Sequence, residues 1–150
     1  MGLSYVAWSR CFNMDWHSCI DDKNAIKMTS NSERIKSLLH SAKRRKDFVE
    51  NHKIDDTNAE IIFSDMYEGC LELLHAFVAQ KGYKVQNHIC LAYFLRDNEN
   101  DRELFMIFDR YRKIRNDVLY YGRMLDKGFS IKAIQELSYF YQRIKGKIIM

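Results

Sequence analysis

Arg115, Asn116 and Tyr120 stand in the order Arg-Asn-x-x-x-Tyr within a cation-rich stretch of the chain. These side-chain types handle phosphate. A guanidinium presents five N–H donors in a planar fork that matches phosphate oxygens, while an amide and a phenol add neutral hydrogen bonds beside an aromatic surface. Residues three and four apart share a helix face, so Asp109, Arg112, Asn116, Tyr120 and Arg123 form one polar strip. Tyr120 and Tyr121 add rings on which bases can stack. Arg115 falls instead within the apolar arc of the same helix. There it must snorkel to an edge, pair with an acid or face another subunit, because an unpartnered guanidinium is costly to bury. The plainer reading makes Arg112 and Arg123 solvated, pairs Asp109 with Lys113 at i,i+4, and leaves Arg115 edging a helix contact.

Other constellations carry less. Glu68, Glu72 and His75 form one helix's half of a di-iron carboxylate site, but the second Glu-x-x-His is missing, so solvated helix pairing is expected and no metal or cofactor is. Lys43-Arg44-Arg45-Lys46 points in several directions and is followed by Asp47, which describes a solvated face better than a phosphate grip. Arg34 with His40 and Arg45 with His52 are chance spacings. Tyr139, Phe140 and Tyr141 read mostly as core or interface. Cys11, Cys19, Cys70 and Cys90 show no C-x-x-C spacing, so reduced, unreactive thiols are expected rather than a disulfide frame, a zinc site or a nucleophile. Gly-rich phosphate loops and Ser-His-Asp arrangements are absent from the sequence.

The elements that must position these residues are helical. The sequence has no proline and only 6 glycines, so nothing obliges an interior break. A helix begins near Ser32, with Ser30 or Ser32 as cap, and carries Ile35, Leu38, Leu39, Ala42 and Val49 on one face. A second, capped by Asp56 or Thr57, runs to about Gly82 with two apolar rows: Ile62, Met66, Cys70, Leu73 and Phe77 beside Phe63, Tyr67, Leu74 and Val78. So wide a stripe belongs at the centre of a bundle. Val85 to Tyr93 marks a short third helix. The fourth, from about Asp101 to Leu125, holds the Arg-Asn run and a core face of Leu104, Ile107, Phe108, Tyr111, Ile114, Val118 and Leu125. Ser130 caps a last helix with Ile131, Ile134, Leu137, Tyr141, Ile144 and Ile148 inward. The fold expected is all-α: an up-and-down bundle of four main helices plus a short one, over 32–150, preceded by an N-terminal arm over 1–31 in which Met14 is an alternative start.

The bulk properties bound the class. A chain of 150 residues with 47% hydrophobic and 29% charged residues builds one globular domain. A net charge of +4 permits an anionic partner without demanding one. No apolar run reaches the roughly 18 residues of a membrane span, and no secretory leader pattern opens the chain. With reduced thiols, these features place the chain in the cytoplasm, away from membranes.

The run Arg112-Lys113-Ile114-Arg115-Asn116-Asp117-Val118-Leu119-Tyr120-Tyr121-Gly122 resembles the signature helix of HEPN domains, which carry Arg-Asn and, three residues on, His or in some branches Tyr. Asp65 through Phe77, Lys81-Gly82-Tyr83, and Asn87-His88 through Phe94-Leu95 resemble the family's preceding helices, so the likeness spans roughly 15–147. It implies a bundle of a kind that often dimerises around the motif helices, here a homodimer through the fourth helix. The family includes metal-independent ribonucleases, toxins paired with minimal nucleotidyltransferases, and non-catalytic RNA-binding members. By position, the resemblance makes Arg115 the stabiliser of phosphate charge, Asn116 its orienter and Tyr120 the replacement for the acid–base residue. Asp109, Arg112, Arg123 and Tyr121 would then flank the RNA. A tyrosine hydroxyl titrates near about 10 and is a poor general base at neutral pH. The resemblance therefore implies an RNA-interacting protein, a weak or degenerate ribonuclease or a toxin-type component. The alternative it carries is a non-catalytic module that dimerises or docks a nucleotidyltransferase.

Overall fold

The computed structural model describes residues 14–149, so Cys11 and the first part of the expected arm lie outside it. In chain order come α1 (Trp16–Asp21), β1 (Ala25–Lys27), α2 (Ser32–Glu50), α3 (Ala59–Gln80), β2 (Tyr83–Val85), α4 (His88–Tyr93), which continues as a π-helical turn over Phe94–Asn98, α5 (Arg102–Tyr121) and α6 (Lys127–Lys147). The structure is mostly helical, with the four long helices and the short one that the periodicities call for. The caps differ from expectation by a few residues. Asn31 and Asp126, rather than Ser30, Ser32 or Ser130, accept the first-turn N–H bonds of α2 and α6. Ser130 lies inside α6, where its buried hydroxyl donates to the Ala59 carbonyl. Asp56 and Thr57 precede the N-cap position of α3, which Asn58 occupies without a side-chain bond to the first turn of the helix.

Helix α3 is the centre of the molecule. Both of its apolar rows are buried, and it packs chiefly against α2 and α6. Gly69 lets α2 approach closely, since a Cβ there would lie 3.3 Å from the Arg45 Cβ. An aromatic ladder ties three helices together: Tyr67 of α3 stacks on Phe108 of α5 at 5.8 Å, and Phe108 stacks on Phe140 of α6 at 5.8 Å. Helix α5 stops at Tyr121, short of Leu125, because Gly122 adopts a left-handed conformation (φ 65°) and caps it. The linker then folds back onto the start of α3, with the Leu125 N–H donating to Glu60 at 2.6 Å and the Lys127 N–H to Asp56 at 2.8 Å. Ile131, expected inward, is 36% exposed, and the inward positions of the first α6 turns go to Ser130 and Ala133.

Two further departures concern the N-terminal segment. Ala25–Lys27 pairs antiparallel with Tyr83–Val85, a ribbon too short for its alternation to be read from sequence. Trp16, Cys19 and Ala25 enter the common core, where Trp16 meets Phe94 and Tyr83 edge-on. Cys19 and Cys90 are joined by a disulfide, which corrects the expectation of reduced thiols and removes the redox argument for a reducing compartment. Cys70 is free and buried, its thiol pushed well up by burial. No helix among the described residues is long and apolar enough to cross a membrane.

The disulfide spans a sequence separation of 71 residues, a closure worth about 4 kcal/mol in chain-entropy terms. Cys19→Ser, or reduction under denaturing conditions and refolding in reductant, should therefore lower the thermal midpoint by several degrees. An unchanged midpoint in protein verified as reduced would mean that this bond contributes nothing to stability.

Candidate functional site

The polar residues of α3 determine where a site can form. Tyr67, Glu68 and His75 face the seam with α4 and α5, where His88, Arg112 and Arg115 meet them. Arg115 takes the acid-pairing course: its Nη2 donates to Glu68 Oε1 at 2.5 Å. The guanidinium carbon stands 5.9 Å from the centroid of the Tyr67 ring, within range of a cation–π attraction. Its side chain is 19% exposed, so the cation sits at a rim: seated on the bundle, yet still open to water.

Tyr67 carries the cluster further. Its hydroxyl lies 3.5 Å from His88 Nδ1, and the His88 ring meets the His75 ring edge-on at 6.4 Å. Burial, then the neighbouring Glu68 charge, push the Tyr67 hydroxyl well above its ordinary value, so it keeps its proton. Burial also lowers His88; Glu68 works against that, while Arg115 and Arg112 reinforce it. His75 is pushed down to about 4, by burial first and then by the charges of His88 and Arg34. At neutral pH both imidazoles are therefore uncharged. The seam thus holds cations that can receive a phosphate and two neutral rings that can accept a proton.

The remaining sequence-derived candidates spread around α5. Arg112 is nearly enclosed, 13% exposed, and donates Nε and Nη2 to Asp109 Oδ1 at 3.2 and 2.8 Å. Lys113 reaches Asp109 Oδ2 at 3.0 Å. Burial opposes ionisation of Asp109, but these two cations hold its carboxyl below the ordinary range. Asn116 is half-buried and makes no side-chain hydrogen bond among the described residues. Arg123 pairs with Asp117 at 3.3 Å. Tyr120 and Tyr121 are 72% and 83% exposed. Five helical positions separate Tyr120 from Arg115, a rise of roughly 7.5 Å and a turn of about 140°. The structure thus gathers Arg115 and Arg112 with His88, and leaves Tyr120, Tyr121 and Arg123 at the solvent end of α5.

His88 and Tyr67 were missed as site members because the spacing rules look along one helix, whereas these residues meet across three. The available signal was Glu68 and His75 on a helix with an unusually wide apolar stripe: polar groups there need partners from elsewhere. Glu72, read with them as half a metal site, instead pairs with Arg45 at 2.8 Å. Among the described residues no group of three His, Cys, Asp or Glu side chains is arranged to hold a metal.

The basic run on α2 also divides. Arg45 turns inward to Asp65 and Glu72, Lys43 pairs with Asp47 and Lys46 with Glu50, leaving Arg44 without an ion pair among the described residues. An open groove of about 1040 Å³ runs along the outer flank of α5, lined by Arg96, Arg102, Arg110, Lys113 and Arg123 with Asp109 and Asp117. Four of those cations already have acids: Asp97, Glu136, Asp109 and Asp117. Its field is therefore weaker than its composition suggests.

The depressed His75 has a consequence for stability. Its neutral form is favoured by the fold, so the contribution is complete above the unfolded value of 6.5 and is lost as pH falls toward about 4. The full loss is about 3 kcal/mol. Urea unfolding at pH 7 and pH 4.5 should show a larger acid loss in the wild type than in His75→Gln; equal losses would mean that other groups carry the acid sensitivity.

The chain matches no protein-family model and none of the curated proteins it was compared with.

Proposed function

We propose that this chain is an RNA-interacting domain of the HEPN type, a weak or degenerate metal-independent ribonuclease whose phosphate-receiving centre is Arg115. The reading rests on the resemblance of the Arg-Asn-x-x-x-Tyr helix, and the observation that carries it is the position of Arg115. A guanidinium held at the rim of the α3–α5 seam by one carboxylate contact keeps further N–H donors for a phosphate. Asn116, on the same helix and without a competing bond, supplies the neutral hydrogen bond that orients the anion. Arg112 adds positive potential, and the exposed Tyr120 and Tyr121 supply stacking faces further along the strand. RNA places such a protein in the cytoplasm. There the burial of Cys19 (1% exposed) and Cys90 (0%) shields their bond from thiol exchange, which needs access to a sulfur.

A second reading has its own observation. Leu119, Tyr120, Tyr121 and Met124 are 53%, 72%, 83% and 82% exposed, an apolar cluster at the end of α5 that suits a homodimer through this helix or a docked nucleotidyltransferase. In that case Leu119→Glu with Tyr121→Glu lowers the solution mass in light scattering and leaves RNA affinity untouched.

Binding of tRNA and mixed RNA in EDTA, followed by fluorescence anisotropy, separates the two. Arg115→Ala should weaken binding at least tenfold, with Arg115→Lys intermediate because a point charge replaces the planar fork. Equal affinities for wild type and a folded Arg115→Ala protein would remove Arg115 from any RNA site.

A further inference from the structure

We propose that His88 is the proton-transfer residue of the Arg115 centre, acting on the ribose 2′-hydroxyl beside a phosphate held by Arg115. This rests on the RNA reading above. It supplies what the signature helix lacks, a general base near the phosphate-receiving cation, from a different helix.

Four observations support it. Tyr67 links the two groups: its ring faces the Arg115 guanidinium at 5.9 Å and its hydroxyl stands 3.5 Å from His88 Nδ1. That hydroxyl stays protonated through burial, so its oxygen is a fixed neutral partner for the imidazole. His88 is half-buried, whereas His17, His40 and His52 are exposed. His75 stands edge-on to His88 and is lowered further, to about 4, which makes it the weaker base of the two. The charged and titratable groups that bear on His88 are Tyr67, Glu68 and His75 from α3 and Arg112 and Arg115 from α5. Glu68 is the one negative charge among them, and it favours the imidazolium that proton transfer creates.

The step balances without a co-reactant. The step uses the tautomer whose Nδ1–H is accepted by the Tyr67 oxygen, in which Nε2 carries the free lone pair. Nε2 takes the 2′-hydroxyl proton, O2′ bonds to phosphorus, and the bond from phosphorus to O5′ breaks. O5′ leaves as a hydroxyl with the proton returned by His88, and the other product is a 2′,3′-cyclic phosphate. Arg115 meets the extra charge on the phosphorane oxygens.

The test uses a labelled DNA oligonucleotide with one internal ribonucleotide, an all-DNA control, and EDTA throughout. Wild type should cut only beside the ribonucleotide and leave a cyclic phosphate, with a rate that falls at acid pH, below the ordinary imidazole value of 6.5, as His88 takes up its proton. His88→Gln should lower that rate at least about 100-fold, the usual scale for a general base, with RNA affinity within about threefold of wild type. Tyr67→Phe keeps the ring stacked on Phe108, removes only the hydroxyl, and should displace the acid limb of the pH profile. Arg115-dependent RNA binding with no cleavage by wild type overturns the role of His88 and leaves the RNA reading standing. Cleavage by His88→Gln at the wild-type rate, or a Tyr67→Phe profile that coincides with wild type, overturns it as well. Absence of RNA binding by wild type removes both readings together.

Discussion

A helix enclosed by its neighbours needs its charged side chains met from other elements, and α3 imposes that constraint on the rest of the molecule. Its apolar rows are buried on two sides, so Glu68, Glu72 and Asp65 have to be met by cations from other helices. Arg45 of α2 meets two of them and Arg115 of α5 meets the third. Leaving one such charge unpaired would cost several kcal/mol. These pairs therefore fix which faces of α2 and α5 turn toward the centre, and the aromatic ladder through Tyr67, Phe108 and Phe140 fills the space between.

The same constraint produces the unusual titration behaviour. Tyr67, His75 and His88 share an environment poor in water, so each is held in its neutral form, and the full charges that bear on them among the described residues are those of Glu68, Arg112, Arg115 and, at His75, Arg34. A neutral imidazole near a guanidinium combines a proton acceptor with a stabiliser of anionic charge, two functions that phosphoryl chemistry needs close together. Even with the two groups on α4 and α5, Arg115 and Arg112 disfavour the imidazolium, and Glu68, which bears on both, works against that repulsion.

How much of this could be read from sequence depends on the length scale of each interaction. The two apolar rows of α3, from Ile62 to Val78, identified the central helix because burial and periodicity are properties of one segment. Caps were displaced by one to four residues, since Asn31 competes with Ser30 and Ser32, and Asp126 with Ser130, through the same local hydrogen bonds. The three-residue strands carry no usable alternation. The pair formed by Arg115 and Glu68 joins residues 47 apart, so the sequence indicated only that Arg115 needed some partner. For Cys19 and Cys90, spacing gave no indication at all: what makes them neighbours is the docking of Trp16 against Phe94 and Tyr83, a tertiary event.

That docking matters beyond stability, because Cys90 lies two residues after His88 on a helix of only 6 residues. So short a helix cannot hold its own orientation through backbone hydrogen bonds; it depends on what it packs against. On one side α4 is tied by the disulfide and by the segment from Trp16 to Lys27, whose strand pairs with β2 just ahead of it. On the other it meets α3 and α5. The N-terminal segment, which looked like an appendage by periodicity, is therefore half of the mount that sets where His88 stands relative to Tyr67. A loosened α4 would leave the ladder from Tyr67 to Phe140 in place, but it would draw Cys90, Leu91 and Ala92 out of the common core as it moved the imidazole away from the seam. Fold and site are thus coupled through α4: the core is centred on α3, and the geometry of the seam rests on how firmly the first turns of the described chain hold α4 in place.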